Sequence, residues 1–231
     1  MSGSTVFLSN GTTLSSDTTV FCTGWDTACK IMEPATAHEL GISAPLASEN
    51  EESTKYWNEV TLKAEAEVLE KLPRLRNPPP YNKKKIVNTP NRLYRYILPP
   101  TLAAKDDHSL IFLGQVVNIM TPIISEVSAL WGIAWMEGIL EKSHQIPSKD
   151  EMDYEIACFN SWCSHRYLSR GDTKPLVAAE SQDIIDLWMK DLDLDIHRKS
   201  WLPDKFLSYR SQDYIGIVQE VLSRSKSEAN K

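Results

Sequence analysis

Two stretches of this 231-residue chain end an apolar run on glycine. In the first, Val20-Phe21-Cys22 runs into Thr23-Gly24 and then Trp25. In the second, Leu110-Ile111-Phe112-Leu113 runs into Gly114-Gln115. A strand that stops on glycine brings bare backbone to the carboxyl edge of a sheet, where open α/β sheets bind their ligands. Each stretch alone also fits any buried strand followed by a turn; the second gains weight from the long apolar helix that follows it.

Other residues offer weaker chemistry. The nine glycines are never separated from one another by a single residue, so the chain holds no G-x-G-x-x-G and no P-loop. Asp191, Asp193 and Asp195 alternate with leucine. They could ligate a metal, but they lack the glycine and terminal Glu of a calcium loop. A solvated helix end is the simpler reading, and no metal site is expected. Cys163 and His165 are close in sequence, which raises a metal-free thiol hydrolase as a remote alternative. Glu126 sits early in the apolar helix, where the helix dipole favours a carboxylate; the other reading places it near a ligand. Trp131 and Trp135 lie one turn apart and read as core before they read as a stacking platform. No residue emerges as a catalytic acid, base or nucleophile.

Composition narrows the classes. A net charge of −6 argues against nucleic acid. The run Lys83-Lys84-Lys85, near Pro78-Pro79-Pro80, reads as a solvated loop rather than a phosphate site. The four cysteines (Cys22, Cys29, Cys158, Cys163) form no C-x-x-C pair and read as reduced thiols. The first twenty residues lack an apolar signal core. Residues 110–140 are mostly apolar, but Gln115, Asn118, Pro122, Ser125 and Glu126 interrupt them. The uninterrupted part falls short of the ~20 residues a bilayer needs. The expectation is a cytoplasmic protein with no membrane contact.

The elements that must position these residues follow from periodicity. Thr5–Leu8 and Thr12–Leu14 flank Asn10-Gly11, a hairpin turn. Thr18–Cys22 and Leu110–Leu113 read as strands. Trp57, Val60, Ala64, Val68 and Leu72 recur at helical spacing from Thr54 until Pro73. Leu93–Leu98 reads as a short helix or turn. Thr121 is expected as an N-cap with Pro122 at the first helical position, opening a helix apolar all round and therefore fully buried. Helices are also expected over Lys149–His165, after Ser181, and after Ser211 with Ile215, Val218 and Leu222 on the buried face. The fold class is α+β and mostly helical.

Three stretches carry a family likeness. Asn10 to Leu14 with Asp17 and Val20 to Trp25 is the first. Ser109 to Gln115 is the second. Glu126, Ala129-Leu130-Trp131, Ala134 and Gly138 form the third. Together they resemble the flavin-containing monooxygenases, including the Baeyer–Villiger type and their fungal relatives. Arg166 to Gly171, and Ile184 to Lys199, resemble the carboxyl-terminal extension of fungal members. The likeness lies at the C-terminal end of the family pattern and lacks the family's N-terminal dinucleotide-binding motifs. It implies an incomplete remnant of an α/β FAD/NAD(P)-binding domain.

The implied domains are 1–25, a hairpin and strand remnant; 26–108, a helical and loop cover; 109–141, the last flavin-domain strand and its helix; and 142–231, a helical extension. The implied cofactors are FAD and NADPH. NADPH reduces the flavin, the flavin takes up O₂, and one oxygen passes to a small organic substrate, in fungal secondary metabolism. Thr23, Gly24, Gly114, Gln115 and Thr121 are the implied cofactor-binding residues. The diphosphate grip is expected in sequence ahead of Met1. A non-catalytic helical interaction protein, pairing with an intact homologue or itself, is the alternative.

Overall fold

A computed structural model gives the arrangement; it describes residues 5–7, 10–15, 32–80, 86–116, 120–167 and 181–229. At the amino end, Gly11 takes φ +84° and Asn10 Oδ1 accepts from the Thr12 amide at 3.0 Å. That turn closes an antiparallel hairpin of β1 (Thr5–Phe7) and β2 (Thr13–Ser15), with Val6 opposite Leu14. Phe7 and Leu14 are exposed on it. The expected strand at Thr18–Cys22 lies outside the described residues, as do Thr23, Gly24 and Trp25.

Helices make up the rest: α1 (Pro34–Glu39), α2 (Glu51–Lys71), α3 (Pro100–Ala103), α4 (Thr121–Met136), α5 (Lys149–Arg166), α6 (Ser181–Asp191), α7 (Trp201–Phe206) and α8 (Ile217–Ala229). α2 starts at Glu51, three residues before the expected Thr54. Asn50 Oδ1 accepts from the Ser53 amide at 2.8 Å, and Glu51 and Glu52 favour the dipole's positive end. α5 opens on a reciprocal capping box between Ser148 and Glu151.

Several sequence expectations change. Leu110–Leu113 is no strand and joins none among the described residues; the Phe112 amide donates to the Ile97 carbonyl at 2.8 Å instead. An apolar run becomes a strand only where a neighbour completes its ladder, and here it lies along α4. A Cβ on Gly132 would stand 2.5 Å from Ile111 Cδ1, so glycine lets the segment pack closely. Thr121 is not the cap of α4: Met120 holds that position, with no side-chain hydrogen bond. Nor is α4 buried all round, since Ile133 and Met136 are exposed.

Near the carboxyl end, Gly216 at φ +96° separates a 3-10 turn (Ser211–Tyr214) from α8. The break shifts the buried face to Tyr214, Ile217 and Val221, leaving Ile215 79% exposed and Leu222 half exposed.

The main core gathers Trp131 and Trp135 of α4, Trp188 of α6, Tyr94, Met152 and Tyr214, all fully buried. A smaller cluster of Ala37, Ile42, Ala44, Leu93 and Phe112 lies under α1. No described helix is long and apolar enough to cross a membrane.

Candidate functional site

A cleft of about 640 Å³ opens between α1, the first turns of α2 and α5, and the segments around Arg92 and Pro100. Its wall is built from positions that helical geometry forces together. Tyr56 and Trp57 are consecutive on α2 and meet edge to face, their centroids 5.7 Å apart. Arg92 is buried with its guanidinium carbon 4.4 Å from the Trp57 ring centre, and it pairs with the buried Glu49 carboxylate. Burial pulls the Arg92 pKa down, with Glu49 opposing it. Burial raises Glu49, but the hydrogen bonds from Arg92 and Ser53 win and its pKa falls.

Across the cleft, Asp153 of α5 is 1% exposed. Its Oδ2 accepts from Tyr56 Oη at 2.8 Å and from Lys149 Nζ at 2.5 Å. Burial, then the Asp153 hydrogen bond, pushes the Tyr56 pKa well above its usual value, so the phenol stays a donor. Gly41 forms part of the rim at φ +78°, and a Cβ there would stand 2.4 Å from the Arg92 carbonyl oxygen. This chemistry can bind and orient a polar molecule. Sequence reading missed it, because Arg92, Glu49 and Asp153 share no local spacing.

A second polar cluster lies inside the core. Asp191 is 5% exposed, not the solvated helix end its sequence suggests. It accepts from Arg95 Nε at 2.8 Å, Arg95 Nη2 at 3.3 Å and Trp131 Nε1 at 3.0 Å. His144 Nδ1 lies 3.3 Å from Asp191 Oδ1, and His144 Nε2 lies 3.0 Å from Tyr94 Oη. Arg95 also pairs with Glu155. Arg95 and Tyr96 both sit at positive φ, +53° and +61°, in a turn closed by the Tyr94–Leu98 bridge. Non-glycine residues hold such angles only where the surroundings impose them; the ion pairs of Arg95 supply that constraint. Trp131 is core, as its spacing suggests, and also the donor that meets Asp191.

The expected cofactor-binding residues fare unevenly. Gly114 is exposed at φ +70° with nothing within 4 Å of a Cβ position. Thr121 is exposed at the start of α4, whose first amides have no intrahelical acceptor. Gln115 is half-buried and engaged: it accepts from Asn91 Nδ2 at 3.0 Å and donates to the Leu113 carbonyl at 3.3 Å. Through Asn91 it is tied to the residue beside Arg92. Glu126 is exposed on α4. Cys163 and His165 form no dyad, since residues two apart on a helix face different ways and His165 Nε2 meets Glu65 of α2 at 2.7 Å.

Asp106, His108 and Glu141 bring ligand-type atoms within 4.8 Å of one another. The His108 ring stacks on Trp135, and Nδ1 donates to the Trp135 carbonyl at 2.6 Å. That bond first, with the carboxylates, raises the His108 pKa; Asp106 and Glu141 are exposed, and exposed acidic groups commonly gather without a metal.

No protein-family description matches the chain, and no solved structure matches it. Curated relatives do. An FAD-dependent monooxygenase, DEP4, of Alternaria brassicicola is 35% identical over 224 residues, covering 94% of this chain and 37% of the relative. The protein of the same name from Fusarium langsethiae is 34% identical, covering 96% of this chain and 38% of the relative. The FAD-dependent monooxygenase resA of Aspergillus sclerotiorum is 30% identical with the same coverage, 96% and 38%. The chain thus spans under two-fifths of the length of the curated relatives it matches. It is a relative of the fungal FAD-dependent monooxygenases, with the extent expected of the carboxyl-terminal portion of such an enzyme.

Proposed function

We propose that this chain forms the substrate-side portion of a cytoplasmic flavin-dependent monooxygenase that oxygenates a small organic molecule in fungal secondary metabolism, with NADPH as reductant. The observation that carries the reading is the relation to FAD-dependent monooxygenases along 94 to 96% of the chain. When bound, the flavin supplies the redox chemistry. The residues of this chain bind and orient. Gly114 lets the ring approach its backbone, and the Thr121 amide at the start of α4 faces developing negative charge. Gln115, anchored by Asn91, holds the intervening segment in place. Thr23 and Gly24, outside the described residues, keep the cofactor-binding role that the resemblance implies.

Purified chain incubated with excess FAD tests it. Flavin absorbance that stays with the protein through gel filtration, together with NADPH consumption, would support activity of this chain. A colourless, NADPH-inert chain would overturn activity of this chain by itself. A second reading, a helical binding protein that pairs with an intact homologue or another copy, is favoured by one observation. Trp201, Leu202, Phe206, Leu207 and Ile215 all stand more than half exposed on and beside α7. Co-purification with such a partner and no flavin would select it.

A further inference from the structure

Large apolar side chains that stand in water on an ordered loop call for an occupant. Residues 196–210, with α7 at their centre, make such a loop. Its polar groups bind one another. Lys199 Nζ donates to the Leu207 carbonyl at 3.2 Å and the Ser208 carbonyl at 2.6 Å, and pairs with Asp213 at 3.2 Å. Tyr209 Oη accepts from the Arg198 amide at 2.9 Å and donates to Asp204, whose other oxygen meets His197 Nδ1 at 2.7 Å. This clasp turns Asp204 inward, 14% exposed. The side of α7 away from Asp204 faces water. Trp201, Leu202, Lys205 and Phe206 share an arc of about 140° around a helix, and Leu207 follows them. Trp201 is 72% exposed and Phe206 75%. Side chains that bare shelter one another little, so they form a ridge rather than a pocket.

The ridge is basic in an acidic protein. The chain carries a net charge of −6, yet between Ile196 and Arg210 four cations accompany one carboxylate, Asp204. Arg198 and Lys199 are held by Glu220 and Asp213, while Lys205 and Arg210 are exposed. Lys205 Nζ lies 4.6 Å from the Trp201 ring centre, so charge and aromatic surface are presented together. We propose that the α7 loop docks on an anionic lipid surface. Trp201, Leu202, Phe206 and Leu207 enter the headgroup region, and Lys205 and Arg210 meet the charged headgroups. Tryptophan, phenylalanine and leucine beside lysine and arginine suit that interface, and each cation near anionic lipid adds to binding. Charge decides against a second copy on the same face, because a two-fold contact would set Lys205 and Arg210 against their own duplicates. The expectation of no membrane contact drew on spanning length, which attachment at the surface does not need. The residues given a cofactor role lie elsewhere in the chain, so flavin binding and lipid docking fail independently.

Sedimentation of the full chain with vesicles tests this. One set is phosphatidylcholine alone; the other contains phosphatidylserine at about one part in four. Binding to the mixed vesicles is expected to be about tenfold tighter or more, and to weaken as salt rises. Lys205→Gln with Arg210→Gln is expected to bring it down to the phosphatidylcholine level. Trp201→Ser with Phe206→Ser is expected to weaken binding at least about tenfold, with the melting temperature unchanged because both side chains are exposed. A chain that stays in the supernatant with mixed vesicles, equal binding to both sets, or undiminished binding of either double variant would overturn the proposal. A concentration-dependent dimer in gel filtration that the Trp201→Ser, Phe206→Ser chain no longer forms would assign the ridge to a second copy, and overturn it too.

Discussion

Replacing Asp191 with alanine should cost this protein more stability than any other single loss of charge. The side chain is 6% exposed and faces Arg95, itself 10% exposed. Removing one member of a buried, hydrogen-bonded ion pair costs about 3–5 kcal/mol, because the other charge stays behind unpaired. Two features modify that figure. Arg95 keeps Glu155, but that carboxylate is 45% exposed and screened by water. Trp131 Nε1 loses its acceptor inside the core, which adds about 1–3 kcal/mol. The loss should therefore reach at least about 4 kcal/mol. Asp191→Asn keeps an acceptor for Trp131 and should lose about half as much. Glu155→Gln is the control and should cost under about 1 kcal/mol. Urea unfolding followed by far-ultraviolet circular dichroism measures all three. An Asp191→Ala chain within about 1 kcal/mol of the parent, or no more affected than Glu155→Gln, would refute the reasoning.

Two further outcomes follow from single positions. Gly41→Ala combines a left-handed φ with a Cβ only 2.4 Å from a backbone carbonyl. It should destabilise the chain by more than about 2 kcal/mol and distort the cleft rim; thermal melting indistinguishable from the parent would contradict that. His144 carries a pKa lowered by burial and by Arg95, with Asp191 opposing. A lowered histidine pKa means the unfolded chain takes up the proton first. Stability is then present above about pH 6.5, the unfolded value, and declines as pH falls through the folded value. His108, whose pKa is raised by the Trp135 carbonyl first and the carboxylates next, acts in the opposite direction. Its contribution is complete below the unfolded value and fades as pH rises through the folded one. His144→Gln should flatten the acid decline in urea titrations at stepped pH, and an unchanged slope would count against it.

How much was legible depended on range. The α2 helix, its stop before Pro73, the Asn10-Gly11 hairpin and the start of α5 were readable, because periodicity, proline and turn chemistry act within a few residues. Leu110–Leu113 was misread as a strand: its composition is right, but a strand needs a neighbour that composition does not announce. Ile215 was misread as core, because one positive-φ glycine resets the helical phase. Of the expected cofactor-binding residues, Gly114 and Thr121 do present open backbone at the surface, while Gln115 spends its side chain on Asn91.

By itself, the sequence determined the long helices α2 and α5, the hairpin at Asn10-Gly11 and the likeness to flavin monooxygenases. Those properties are sums of local terms or matches along the chain. Only tertiary structure decided that Asp191 and Arg95, 96 residues apart, share a charge in the core. It alone turned Arg92, Asp153 and Tyr56 into the wall of one cleft. Burial and electrostatic pairing depend on distance through space, and the intervening chain length does not encode that distance.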